Sequence, residues 1–119
     1  MEDAHNFLDI DGAMSYAAVW LNGELVGGWP YGYASWRVDL TPHVEPGGDN
    51  VLAIRLENPP DSSRWYPGGG LYRNVWLTKT HPVHVAQWGT FVTTRDVSDT
   101  AATIDLKITI ENDSRDDAT

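Results

Sequence analysis

The 119-residue chain sets 17 acidic residues against 8 basic ones, for a formal net charge of -9, and is 41% hydrophobic and 11% aromatic, with Trp present six times. That much apolar matter supports a packed core and argues against wholesale disorder, at a length that fits a single domain. So acidic a surface repels phosphate backbones and anionic lipid, which excludes nucleic acid and membrane as expected partners, and the lack of Cys excludes disulfides, thiol catalysis and Cys-based zinc sites. No apolar run approaches the roughly 18 residues of a spanning helix, and no signal-peptide pattern opens the chain.

Residues 15–26 predict a β-hairpin. Ala17, Val19 and Leu21 share one face, and Asn22-Gly23 is the two-residue turn in which both positions accept positive φ. Residues 27–33 read as a loop rich in Gly and aromatics. Residues 35–40 alternate, with Trp36, Val38 and Leu40 inward and Arg37 and Asp39 outward. Turn chemistry follows at Thr41-Pro42 and at residues 45–49. Residues 50–58 predict a strand with Leu52, Ile54 and Leu56 inward, broken by Asn58-Pro59-Pro60-Asp61. Residues 71–80 predict another, with Val75 and Leu77 on one side and Trp76 on the other.

Between these last two strands lies the most distinctive run, residues 62–77. It carries two Arg, two Trp and two Tyr around Gly68-Gly69-Gly70. Three consecutive glycines weaken helix and strand alike, so the chain must loop there. Beyond His81-Pro82, residues 83–94 and 101–111 predict two more strands around a turn at 96–99. The last strand is strongly periodic, with Ala102, Ile104, Leu106, Ile108 and Ile110 on one face. The tail from Asn112 is polar and acidic and is expected to fray.

No helical period and no internal repeat are present, so the fold class is all-β. The expected architecture is an antiparallel β-sandwich over residues 1–80, followed over 81–119 by the first strands of a second β-domain. About five strands before Pro82 and two or three after it are too few for two sandwiches of about seven or eight strands each. An abrupt start and an end without a stop signal point the same way: the chain reads as a piece of something longer.

Arg64, Trp65 and Tyr66 on the Gly-rich loop are the candidate substrate-binding residues. Aromatic rings stack on the C–H face of a pyranose, and Arg donates to hydroxyl oxygens. The alternative is structural, with the rings capping a sandwich end and the arginine pairing with a carboxylate. The loop is not a phosphate cradle, because no Lys-Ser/Thr and helix follow it. Trp29, Tyr31 and Tyr33, alternating at period two, offer either a second sugar platform or packing beneath the loop. Trp20 and Trp76 read as core or sheet-face residues. Asp9 and Asp11 beside Gly12 are two oxygen ligands, too few for calcium, and read as a solvated turn. His81 and His84 lack a supporting carboxylate cluster for metal, and His5 and His43 read as surface residues. Asn112-Asp113-Ser114 is a formal glycosylation acceptor. No catalytic residue, metal ligand or cofactor is assigned.

Four segments resemble glycoside hydrolase family 2, the β-galactosidase, β-glucuronidase and β-mannosidase group. They are residues 17–27 around Asn22-Gly23, Gly32-Tyr33-Ala34-Ser35-Trp36-Arg37-Val38-Asp39-Leu40-Thr41, residues 50–56, and the run from Ser63 to Leu77. The resemblance implies that residues 1–80 are the later part of a jelly-roll, galactose-binding-like domain. Residues 81–119 would be the first strands of an immunoglobulin-like sandwich. It further implies a parent enzyme whose TIM barrel carries two catalytic glutamates, a carbohydrate substrate, and a loop at 64–66 near the barrel interface. The barrel's asparagine–glutamate signature is missing, since no Asn here is followed by Glu. The expected function is thus the non-catalytic β-sandwich portion of a β-galactosidase-like hydrolase. The alternatives are a free-standing carbohydrate-binding module or an interaction domain. An unfinished sandwich also exposes strand edges, which predicts self-association.

Overall fold

The computed structural model describes residues 4–62 and 68–118. The chain divides into two compact units, Met1–Lys79 and Thr80–Thr119. The described residues form ten strands and one 3-10 turn.

In the first unit the strands are β1 (His5–Ile10), β2 (Ala13–Met14), β3 (Ala17–Leu21), β4 (Glu24–Trp29), β5 (Trp36–Asp39), β6 (Leu52–Arg55), β7 (Gly70–Leu71) and β8 (Val75–Thr80). One sheet has the order β5-β1-β8, the other β4-β3-β6, and β2 pairs with β7 in a short two-stranded ladder. The expected hairpin forms, with Leu21 opposite Glu24. Asn22 (φ 52) and Gly23 (φ 88) turn the chain in the left-handed region. The Asn22 side chain then ties the hairpin tip to the next turn. It accepts from the Val51 amide at 2.9 Å and donates to Asn50 Oδ1 at 3.0 Å.

The core lies between the two sheets. Leu8 and Ile10 of β1, Ala17, Val19 and Leu21 of β3, Trp36 and Val38 of β5, and Leu40 just after it are buried together, with Val26, Val44, Ile54 and Leu56 packed against them. Each fully buried aliphatic side chain contributes about 1.5–3 kcal/mol. The alternation expected for residues 35–40 is thus the one observed. The flank formed by β6 and β8 is open: Leu52 is 39% exposed, Val75 39% and Leu77 61%.

Four expectations needed correction. Asp9 does not lie in a solvated turn. It sits in β1, the central strand of its sheet, opposite Arg37. Residues 27–29 are not loop but strand, because β4 runs on to Trp29. Glycine is required at 28, where a Cβ would collide with the Ala17 carbonyl, and at 27 it would press Val38 at 3.0 Å. Residues 71–80 are not one strand; the chain leaves the ladder at Tyr72, Arg73 and Asn74. The strand expected over 50–58 is shorter, at Leu52–Arg55.

The second unit is a hairpin of β9 (Val83–Arg95) and β10 (Thr103–Asn112). Its register slips between Ile108, opposite Thr90, and Ile110, opposite Val85. Four β9 residues, Ala86 to Gly89, therefore face the single β10 residue Thr109. Trp88 takes φ 53 and is 75% exposed in this bulge. The apolar row Ile104, Leu106, Ile108 and Ile110 lies on one face and is 49–66% exposed within this chain. On the other face Arg95 pairs with Asp105.

Candidate functional site

Arg64, Trp65 and Tyr66 lie outside the described residues. The chain that flanks them is described, and it joins a cluster of aromatic rings at the end of the first sandwich. After β7, Tyr72 donates its phenolic hydrogen to the Gly32 carbonyl at 2.8 Å. Its ring meets the Tyr33 ring edge-on, 6.5 Å between centroids, and Tyr33 in turn lies 5.7 Å from Tyr31 at 59°. The Arg73 guanidinium stands over the Tyr72 ring at 5.5 Å, within cation–π range.

Two glycines make this close approach sterically allowed. A Cβ on Gly12 would meet the Tyr72 ring at 2.8–2.9 Å, and one on Gly32 would collide with the Met14 thioether. Hydrogen bonds fix the backbone around them. Asp11 donates its amide to the Asn74 carbonyl at 3.0 Å, and Ser35 Oγ donates to the Asp11 carbonyl at 3.1 Å. The Trp76 indole donates to Asp11 Oδ2 at 3.1 Å. Despite this support the rings stay accessible: Tyr31 is 54% exposed, Tyr33 41% and Tyr72 46%. Of the aromatic trio expected from period-two alternation, Tyr31 and Tyr33 do come together. Trp29 ends β4, 44% exposed. Tyr72, about forty residues away in sequence, was missed; its only local signal is the Gly-Leu-Tyr-Arg run that follows the loop.

A second polar feature lies on the outer face of the β5-β1-β8 sheet. Arg37 donates to Asp9 Oδ1 at 2.7 Å and to Oδ2 at 2.9 Å, and Thr78 donates to Oδ2 at 2.6 Å. Arg37 also stacks on Phe7, 4.5 Å from the ring centroid. Its hydrogen bonds hold the Asp9 carboxyl below the ordinary value of 3.8, against the opposing pull of desolvation. Asp9 and Asp11 are therefore engaged by Arg37, Thr78 and Trp76 and do not converge as metal ligands. His81 accepts from the Val83 amide at 3.3 Å, and His84 lies 3.3 Å from Glu111. His43 pairs with Glu24 at 2.9 Å. The described residues contain no cluster of three His, Asp or Glu side chains able to hold a metal ion. At the other end of β1, a cavity of about 510 Å³ is lined by Asn6, Glu45, Asn50 and Lys79 among others. Chemically, the aromatic end offers stacking faces and hydrogen-bond donors.

The comparisons with known proteins agree on the kind of protein this resembles. The family described as glycosyl hydrolase 2 galactose-binding domain-like matches residues 1–66. The β-galactosidase BoGH2A of Bacteroides ovatus is 46% identical over 108 residues, which is 90% of this chain and 13% of that protein. A β-glucuronidase of Formosa agariphila is 29% identical over 90% of this chain and 13% of its own length. Among solved structures, a glycosyl hydrolase family 2 member from Bacteroides cellulosilyticus superposes with a TM-score of 0.86 at 34% identity, over 93% of this chain and 15% of that one. The chain thus spans about a seventh of the relatives it matches.

Proposed function

Because this chain belongs to glycoside hydrolase family 2, we propose that it serves as a non-catalytic β-wall of a retaining, β-galactosidase-like enzyme acting on terminal β-glycosidic bonds. One observation carries the reading: 46% identity to a β-galactosidase across 90% of this chain but 13% of that enzyme. Retaining hydrolysis needs two carboxyl groups about 5–5.5 Å apart, one as nucleophile and one as acid/base. In this reading both come from a barrel elsewhere in the parent. The chain shapes the pocket wall, with Arg64, Trp65 and Tyr66 reaching toward the sugar. Residues 1–80 act as a partial jelly roll and 81–119 as the first strands of an immunoglobulin-like domain. The division of the fold near Lys79 supports that boundary.

The test is an incubation of the 119-residue chain with an aryl β-galactoside, and a reading of the gene downstream of Thr119. The expected result is no hydrolysis above buffer and an open frame continuing into a barrel. Turnover by the chain alone would overturn the proposal. A free-standing carbohydrate-binding module is the second reading, favoured by the exposed tyrosine cluster. The uncovered flank of β6 and β8 and the apolar row of β10 further support self-association of the isolated chain. A concentration-independent monomer in sedimentation would refute that part.

A further inference from the structure

We propose that Tyr31, Tyr33, Tyr72 and Arg73 form a stacking site for a pyranose ring, a sugar contact additional to the candidate residues Arg64, Trp65 and Tyr66. The inference rests on the carbohydrate reading above and deepens it by naming where this chain itself touches sugar.

The first argument is cost. Three large aromatic rings left 41–54% exposed forgo burial that a sandwich end could have given them. Yet they are not loosely placed. Tyr72 is anchored through its hydroxyl to the Gly32 carbonyl. Its ring occupies space that any side chain at position 12 would need, and the backbone at 32 is pressed onto Met14. A rigid surface of this kind loses little conformational freedom when a ligand arrives.

The second argument is shape and polarity. Successive rings are tilted by 59° and 66°, so they form a stepped surface and not one flat apolar patch. A step matches a puckered pyranose, whose axial C–H bonds rest on one ring face while equatorial hydroxyls reach past its edge. The tips are polar where hydroxyls would arrive. Tyr31 carries a phenol group that donates and accepts, and Arg73 offers guanidinium donors while held over Tyr72. Chain connectivity supplies the third argument: Tyr72 and Arg73 follow directly on the Gly68-Gly69-Gly70 run that ends the candidate loop.

The test is titration of the intact 119-residue chain with methyl β-galactoside and with methyl β-glucuronide, followed by amide chemical shifts. The expected result is saturable binding at about millimolar affinity, as suits a single stacked ring, with the largest shifts at Gly32 and Arg73. Tyr31→Ala and Tyr33→Ala should each weaken binding by about fivefold, and Tyr31→Phe by less than about twofold. Unchanged far-UV circular dichroism would show that these variants fold. Trp65→Ala should leave the Gly32 and Arg73 shifts in place. Two results would overturn the site. One is binding that Trp65→Ala abolishes and the Tyr31→Ala/Tyr33→Ala double variant does not. The other is the absence of any sugar-induced shift, in particular where Gly32 and Arg73 respond to protein concentration instead, which would make the patch a protein contact. Neither touches the proposed parent enzyme, which is judged by turnover and by the downstream frame. A larger response to the glucuronide than to the galactoside would support the site and assign Arg73 the carboxylate.

Discussion

Replacing Asp9 by Asn tests whether the cross-strand ion pair on the outer sheet face is structural. The variant keeps the shape of the side chain and removes its charge. It weakens two bonds from Arg37, at 2.7 and 2.9 Å, and one from Thr78 at 2.6 Å. The Arg37 and Asp9 side chains are 19% and 16% exposed. A fully exposed pair of this kind is worth about 0–1 kcal/mol, whereas breaking a buried one costs about 3–5 kcal/mol. With under a fifth of each side chain in water, Asp9→Asn is expected to cost about 2–3 kcal/mol, because Arg37 is left charged over the Phe7 ring with its partner neutral. Removing both charges in Asp9→Asn/Arg37→Met should recover about half of that, since no charge is then stranded. Urea unfolding followed by circular dichroism reads the effect. With a slope of about 1–2 kcal/mol per molar, the midpoint should fall by at least about 1 M. A midpoint within about 0.3 M of the unmodified chain would refute the reasoning and reduce the pair to a solvated surface contact.

Three further outcomes follow from the same structure. Because Arg37 depresses the Asp9 carboxyl below 3.8, the pair's stabilisation is fully present above that pH and is lost as pH falls through the lower folded-state value. Urea midpoints taken from pH 6 down to about pH 2 should therefore decline more steeply in the unmodified chain than in Asp9→Asn. Ile10→Ala removes a side chain with no exposed surface from the middle of the core and should cost about 2–5 kcal/mol in the same unfolding assay. Gly23→Ala puts a Cβ on a residue at φ 88 with open space around it, so only backbone strain acts. A loss of about 1 kcal/mol is expected, with the hairpin amide shifts otherwise unchanged.

The all-β class, the Asn22-Gly23 hairpin and the inward face of β5 were legible in the sequence because alternation and turn chemistry act locally. Three features were not. The central strand β1 was obscured by Asp9 and Asp11, which read as polar turn residues until Arg37 is seen across the ladder, 28 residues away. Gly27 and Gly28 looked like loop punctuation; they are strand residues kept small by contacts with Val38 and the Ala17 carbonyl. The aromatic end was half legible. Tyr31 and Tyr33 advertise themselves by spacing, but Tyr72 joins them through a hydroxyl bond to Gly32 that spans 40 residues. Long-range partners of this kind leave no periodic trace, so the site emerged only once the sheets had brought the segments together.

The β9 bulge acts as a parity corrector. Val85 and Val92 are an odd number of positions apart, so an unbroken strand would point them to opposite sides. With the bulge, both lie opposite members of the β10 row, Ile110 and Leu106. Excising one residue from 86–89 would leave the two valines six positions apart, an even spacing at which a regular strand keeps them on one side without correction. In the intact hairpin it is the extra residues alone that hold Val83 and Val85 in line with the aliphatic stripe across an odd spacing.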